Sequence, residues 1–381
     1  MIPFDYQPLT RMVFGPDTID QLGTLAAQLG VRRALVVSDP GIVSAGHTQH
    51  GIDSLVKAGL TTCLFDGTRE NPTTREVDAG LQVARDFQPD LLVGLGGGSS
   101  IDCAKGINFI HSCGGHMQDY WGVGKATADM LPMIAVPTTA GTGSEMQSFA
   151  LISDADTHQK MACGDKRAAC RVAILDPKLT LTQPANITSL TGMDALSHAL
   201  ETYVTTKRNA MSVAFSRESW KLLSEAFPRV LANPQDLDAR ASMQLGASFA
   251  GLAIEYSMLG ATHALANPLT AAYGIAHGQA VGLCLPHVIR FNGEQFGDWY
   301  RELYALQAPH QNGTGDGLVK LSDYVSAVLK QAGLKDRLSD CGVQRERLGE
   351  LAAAASKQWT GIFNPRKINQ SDLLSLYENA F

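Results

Sequence analysis

Four side chains in the second half of this 381-residue chain have the types and spacing of a metal site. In "TGMDALSHALE" (191–201), Asp194 and His198 lie four residues apart, which on a helix places both side chains on one face within reach of one ion. "GATHALANPLTAAYGIAHGQAVGLCLPHVIRFN" (260–292) adds His263 and His277 in apolar surroundings, where an unpaired imidazole is costly. Three imidazoles and one carboxylate offer a divalent cation four ligands, and these ligand types suit Fe(II), Zn(II), Co(II) or Ni(II) alike. His287, also flanked by apolar residues, is expected to be a satisfied core or helix-cap histidine, and His111 and His116, around a Gly-Gly loop, to be exposed.

A second chemistry is written in "LLVGLGGGSSIDCAKGINF" (91–109). An apolar run ends in Gly96-Gly97-Gly98 and passes at Ser99-Ser100 into a helical pattern, so bare amides and a helix dipole face the same point. That point suits a phosphate or pyrophosphate. The pattern Gly94-x-Gly96-x-x-Ser99 lacks the third glycine of the dinucleotide fingerprint, and no acid about 20 residues later stands out. Asp39 supplies a carboxylate elsewhere, at the end of the first strong strand, where it can accept from ribose hydroxyls and repel a 2′-phosphate. Its place before the glycines implies a strand order different from the usual Rossmann unit. "PTTAGTGSE" (137–145) adds hydroxyls and unhindered amides after another strand. For each turn alone, a tight or surface loop that binds nothing is the competing reading.

The elements that must position these groups are legible as two halves. "RRALVVSD" (32–39), "TTCLFDG" (61–67), "DLLVGLGG" (90–97) and "LPMIAVPTT" (131–139) read as buried parallel strands. Between them, "IDSLVKAGL", "TREVDAGLQVARDF" and "SIDCAKGINFIHSC" carry helical spacing, which predicts a parallel sheet covered by helices on both faces. From about Pro184 the pattern is helical throughout, with breaks expected at Asn233-Pro234, Gly260, Asn267-Pro268, Gly274 and Asn292-Gly293. The predicted division is an α/β dinucleotide-binding domain over 1–183 and an all-helical metal-binding domain over 184–381. "QNGTGDG" (311–317) is expected to be an exposed loop.

Composition narrows the class. With 45% hydrophobic and 18% charged residues, a net charge of −6 and no basic run, neither nucleic acid nor an acidic membrane face is the expected partner. No secretory leader is expected from "MIPFDYQPLTRMVFG", and no window approaches about 18 uninterrupted apolar residues. Seven cysteines without a C-x-x-C pair fit reduced thiols in the cytoplasm.

Together these motifs resemble the iron-containing (group III) alcohol dehydrogenase family. The resemblance spans nearly the whole chain: "FGPDTIDQLGTLAAQLG", "VVSDPG", "DGTRENPT", "GLGGGSSIDCAK", "PTTAGTGSE", "DALSHALE", "AHGQAVGLCLPHVIRFN" and "NPR". It implies a Rossmann-like α/β domain and an all-α domain in a dehydroquinate synthase-like architecture, with the active site in the cleft between them. It also implies NAD and Fe(II), with Zn(II) as the alternative, a small alcohol or aldehyde as substrate, and a homodimer or larger homo-oligomer. By position, Asp194, His198, His263 and His277 look like the metal ligands, and Gly97, Gly98 and Ser99, helped by Ser100, look like the pyrophosphate cradle. Asp39 and Asn71 look like ribose or adenosine contacts, Thr138, Thr139, Thr142, Phe149 and Lys160 like further cofactor contacts, and Asp102 like a family acid in the helix after the glycines. One departure stands out: where many relatives read H-x-x-x-H, this chain has His263-Ala-Leu-Ala-Asn267, so a proton relay through that position loses its titratable group. Of the competing readings, a sugar-phosphate cyclase needs a Lys/Arg cluster that 191–201 and 260–280 lack. A glycerol-dehydrogenase-like zinc enzyme and a non-catalytic NAD-binding protein remain as alternatives.

Overall fold

The computed structural model describes residues 3–157, 159–307 and 316–381. Within them the chain forms two compact units. One comprises Gln7–Thr139 and Gly143–Gln183, the other residues 3–6, Ala140–Thr142 and the described part of Pro184–Phe381.

The first unit runs β1 (Arg11–Phe14), α1 (Leu22–Gln28), β2 (Arg33–Val37), α2 (Pro40–Ser44), α3 (His47–Lys57), β3 (Thr61–Phe65), α4 (Thr74–Phe87), β4 (Leu91–Gly96) and α5 (Gly98–Cys113). It continues with β5 (Gly122–Val123), β6 (Met133–Pro137), β7 (Phe149–Ser153), β8 (Lys160–Gly164) and β9 (Val172–Leu175). Six strands form a sheet in the order β1-β9-β6-β4-β2-β3, and every pair in it is parallel. Side chains alternate across the strands, so Leu35, Val37 and Leu92 pack on one face with α4 and α5, while Ala34, Val36, Leu91 and Val93 pack on the other with α1 and α3. Both faces are therefore covered, which is why these strands read as unbroken apolar runs.

Strand order explains where a ligand fits. From β2 the chain steps to β3 on one side, then returns past β2 to β4 and continues outward through β6 and β9. The direction reverses between β2 and β4, and the crevice beyond the carboxyl ends of strands at such a point is where open α/β sheets take ligands. Asp39 follows β2 and the glycine turn follows β4. This order is the flavodoxin-like one, which accounts for the acid preceding the glycines.

Five strands, β1, β5, β7, β8 and β9, escape the hydrophobic-run reading. β1 and β9 have four residues each, and β7 and β8 belong with β5 to a separate three-stranded sheet whose β7–β8 pair is antiparallel. β8 opens on the exposed Lys160, so neither length nor composition marks it.

The second unit comprises α6 (Ala185–Val204), α7 (Ala210–Ala232), α8 (Leu237–Glu255), α9 (Ala261–Tyr273), α10 (His277–Gln307), α11 (Gly317–Gln331), α12 (Leu348–Ala355) and α13 (Gln370–Ala380). One apolar cluster gathers α6, α7, α8, α10 and α11, and a second gathers α9, α10, α12 and α13, so α10 serves both. Asn233, Gly260 and Gly274 end or start helices as expected, Gly274 with φ +64°. One expected break is absent and the other is displaced, since α10 kinks at Phe296 (φ −122°, ψ 29°) and not at Asn292-Gly293. Pro268 lies inside α9, whose buried Ala264, Leu265 and Leu269 hold it in place despite the lost backbone bond. Gly293 lies inside α10, where a Cβ would come within 2.5 Å of Leu318 on α11, so this glycine serves helix packing and not a turn. Of the loop expected at 311–317, residues 311–315 lie outside the described residues, while Asp316 caps α11 and Gly317 opens it. Among the described residues no helix is long and apolar enough to cross a membrane.

Candidate metal and cofactor sites

α6 is buried nearly all round in its second half, and it carries Asp194 and His198 one turn apart. α9 contributes His263 from its first turn and α10 contributes His277 as its first residue. The three rings converge on one oxygen: His198 Nε2 lies 3.3 Å from Asp194 Oδ1, and His263 Nε2 and His277 Nε2 each lie 3.6 Å from it. Ligand atoms of Asp194, His263 and His277 all fall within 4.8 Å of one another. Asp194 Oδ1, His198 Nδ1 and His263 Nε2 are buried and have no hydrogen-bond partner. Of these atoms Asp194 Oδ1 and His263 Nε2 face each other, and His198 presents its other nitrogen, Nε2, to the same oxygen; such a buried group without donors is costly, and a cation within it resolves the cost. The residues present therefore fit a divalent metal.

Electrostatics agree. Burial opposes charge on Asp194, yet the surrounding imidazoles outweigh it and hold the carboxyl well below the usual range. Burial also opposes charge on His263, but Asp194 and Glu201 prevail and its pKa is pushed up to about 9. Burial dominates at His198 and lowers its pKa, with Asp194 only partly offsetting. The centre of the cluster attracts positive charge.

In the α/β unit the glycine turn is open to an anion. Gly97 is the N-cap of α5 and supplies no side-chain cap, so the Gly98 and Ser99 amides lack the usual side-chain partner, while the Ser100 N–H donates to Gly97 O at 3.1 Å. Gly96 has φ +153°, and a Cβ there would fall 2.5 Å from Ser100 Oγ and 3.3 Å from Asp39 Oδ2. Asp39 Oδ1 accepts from the Gly41 and Ile42 amides, capping α2, while Oδ2 accepts from Ser100 at 3.2 Å. The Asn71 N–H, on a residue with φ 52°, donates to Ser99 Oγ at 3.2 Å. Thr138 N–H donates to Gly96 O at 2.9 Å, its buried hydroxyl has no partner, and Thr139 faces Gly97. Asp39, Asn71, Gly97, Gly98, Ser99, Ser100, Thr138 and Thr139 are thus brought together, and the unpartnered Thr138 hydroxyl fits a polar ligand.

The remaining positions are spread further. Asp102, one turn into α5, is buried, which raises its pKa, and accepts from the Ser144 hydroxyl. Phe149 and Lys160 begin the two strands of the β7–β8 pair, opposite Gly164 and Ser153. Ser153 N–H donates to Pro72 O, which sets the Lys160 end of the pair near the Asn71 loop. Thr142 belongs to the short segment that packs with the helical unit. His287 is half-buried within α10, His111 is half-buried instead of exposed, and His116 is exposed.

Sequence profiles described as iron-containing alcohol dehydrogenase and as Fe-containing alcohol dehydrogenase family, C-terminal, match residues 9–177 and 188–381. The chain belongs to the iron-containing alcohol dehydrogenase family. It is 32% identical over 374 residues to an NAD-dependent methanol dehydrogenase of Bacillus methanolicus, covering 97% of each chain. It is also 32% identical over 382 residues to a 1,3-propanediol dehydrogenase of Klebsiella pneumoniae, covering 99% of each. A crystal structure of a 1,3-propanediol oxidoreductase superposes over 100% of both chains with TM-score 0.96 at 32% identity.

Two residues of this iron-containing dehydrogenase are not singled out by the sequence reading. Glu201 is buried beside His263, accepting from its Nδ1 at 2.6 Å and from the Thr262 N–H at 2.6 Å; burial works against its charge, but these bonds hold its pKa below the usual value. A signal for it exists, since Asp194, His198 and Glu201 follow i, i+4, i+7 spacing on one helix face. Lys105 is fully buried on α5, and its ammonium donates to Ser144 O at 2.7 Å, Gln147 O at 2.7 Å and Phe149 O at 2.9 Å. It ties the helix of the glycine turn to the segment that enters β7. Lys105→Met strands these carbonyls and the neighbouring Asp102, and is expected to cost about 3 kcal/mol or more. Calorimetry checks this; an unchanged melting temperature refutes it.

Asn267, the position of the departure, lies four residues after His263 on α9 and donates to Gln358 Oε1 at 3.0 Å.

Proposed function

We propose that the protein is an NAD-linked, metal-dependent alcohol dehydrogenase and aldehyde reductase acting on short primary alcohols or diols. The observation that carries this reading is the single buried oxygen of Asp194 with three imidazole nitrogens 3.3 to 3.6 Å away and no hydrogen-bond donor. A divalent cation supplies Lewis acidity there, lowering an alcohol's pKa or polarising an aldehyde carbonyl, and NAD supplies the hydride acceptor. The chain's own residues do the positioning. The amides at the start of α5 hold the pyrophosphate, and Asp39, fixed by its bonds to α2 and Ser100, accepts from the ribose hydroxyls. Asp194, His198, His263 and His277 hold the cation with one formal negative charge among four ligands. No Lys or Arg occurs in 191–201 or 260–280, which favours an uncharged substrate over a phosphorylated one.

Asp39→Gly is expected to raise the preference for NADP relative to NAD by about tenfold or more, because the carboxylate that repels a 2′-phosphate is gone. Steady-state kinetics with both cofactors check it, and unchanged selectivity refutes the role. The overall reading is tested by following NADH formation from NAD and a panel of short alcohols and diols, with chelated protein and with protein reloaded anaerobically with Fe(II) or Zn(II). Restoration by Fe(II) supports the iron enzyme and ranks the substrates. Restoration by Zn(II) alone moves the protein to a zinc branch, and full activity of the chelated protein overturns the metal's role.

We also place the protein in the cytoplasm as a homodimer or larger homo-oligomer. Seven unpaired cysteines support a reducing compartment, and the family resemblance supports assembly. Light scattering reads the oligomeric state directly.

A further inference from the structure

We infer that Glu201 is a positioning residue of the metal site, its two carboxylate oxygens setting the backbone start of α9 and the ring orientation of His263 together. The inference rests on the metal reading above and deepens it.

α9 starts without a side-chain cap of its own, because its N-cap is Gly260. Its orphan amides are met from outside the helix: Thr262 N–H donates to Glu201 Oε1 at 2.6 Å, and Ala261 N–H donates to Asn364 Oδ1 at 3.4 Å. Glu201 is thus a remote cap, placed where a helix dipole favours a carboxylate. Gly260 makes this approach feasible, since a Cβ there would lie 3.1 Å from Glu201 Oε1 and 3.2 Å from Asn364 Oδ1.

The other oxygen, Oε2, accepts from His263 Nδ1 at 2.6 Å. A carboxylate only accepts, so Nδ1 carries a proton, and in the metal-binding form of the ring the lone pair lies on Nε2. Nε2 is the nitrogen that faces Asp194 Oδ1. Glu201 therefore fixes which ring nitrogen is offered to the metal, as carboxylates behind ligating histidines do. The same helix, α6, carries two ligands, Asp194 and His198, and the group that orients a third. Asn364 is held in turn by Asn292, whose Nδ2 lies 3.0 Å from its Oδ1.

Glu201→Gln separates this role from simple packing. The amide has the same shape but one acceptor, so it serves either the Thr262 amide or the ring, never both. If it keeps the cap, its NH2 faces Nδ1 and drives the ring proton to Nε2, against Asp194.

The experiment uses the full chain, wild type and E201Q, and measures Zn(II) affinity by chelator competition. NADH affinity by fluorescence titration and the melting temperature of the metal-free proteins are controls. The expected result is Zn(II) affinity lower by about 10- to 100-fold in E201Q with NADH affinity unchanged. On Zn(II)-loaded wild type, ¹⁵N-histidine NMR is expected to show His263 protonated at Nδ1 and not at Nε2. Equal Zn(II) affinity in both proteins overturns the role of Glu201 alone, as does a wild-type ring protonated at Nε2. The NMR result on the wild type decides the matter if E201Q does not fold. Wild type that takes up neither Zn(II) nor Fe(II) overturns the metal reading and this inference with it.

Discussion

His263→Ala is expected to yield protein that retains almost no metal after dialysis and oxidises alcohols at least about a thousandfold more slowly, a loss of about 4 kcal/mol in transition-state stabilisation. The ring removed is one of three that converge on Asp194 Oδ1. Its loss also leaves Asp194 and Glu201, both buried, without the imidazole that lies between them. Breaking a buried charged pair from one side costs about 3–5 kcal/mol, so the metal-free variant should melt below the metal-free wild type. Metal analysis, NADH formation and calorimetry read the three consequences separately. Wild-type rates with a full metal complement would falsify the assignment of His263 as a ligand.

Gly278→Ala tests the same site through a residue with no side chain. A Cβ on Gly278 would fall 2.0 Å from Leu190 O, 2.6 Å from its carbonyl carbon and 2.9 Å from its Cα. These are backbone atoms of α6, and no rotamer change relieves them. The first turn of α10 must retreat from α6, and with it His277, the immediate neighbour of Gly278. Displacement of a ligand by about 1 Å is worth roughly 100-fold in a positioned reaction. Overpacking of this kind adds about 1–3 kcal/mol of instability. The expected variant oxidises alcohols about 100-fold more slowly, binds Zn(II) or Fe(II) more weakly and melts earlier. Unaltered metal affinity would show that α10 can shift without moving His277.

How much of this was readable from the residues depends on what each residue does. β2, β4 and β6 are central strands with both faces covered, and their apolar runs announce them, while β3 is a half-buried edge strand marked by its β-branched and apolar residues. β7 and β8 are partly exposed and hold together by pairing, which leaves little trace in composition. The glycine turn was legible because glycine is needed there: Gly96 has a left-handed backbone hemmed in by Ser100 and Asp39. Gly293 misled because a glycine that admits Leu318 of a neighbouring helix looks, in sequence, like one that ends a helix. Of the four candidate metal ligands, Asp194 and His198 stood out by their i, i+4 spacing and His263 and His277 as polar groups in apolar surroundings. Glu201 stands in the same helix and on the same face, but as the last letter of "DALSHALE" it passes for an ordinary helical acid until its partners are seen. Lys105 is hidden for a similar reason, since nothing in "DCAK" tells that its ammonium is buried against three carbonyls.

The chain does not visit its two units one after the other. Residues 3–6 and Ala140–Thr142 pack with the helical unit although the stretches between and after them, Gln7–Thr139 and Gly143–Gln183, build the α/β unit. Ala140 lies in the helical unit's apolar core, and Gly141 sits so close to Thr191 that a Cβ would come within 2.6 Å of it. A cut at residue 183 therefore leaves two segments of the helical unit, residues 3–6 and Ala140–Thr142, on the α/β piece. During synthesis the ribosome delivers Ala140–Thr142 well before the helices that receive it, so this short segment must wait, unpaired, until α6 emerges. For anyone exchanging modules among these dehydrogenases, the practical unit of inheritance is the whole chain.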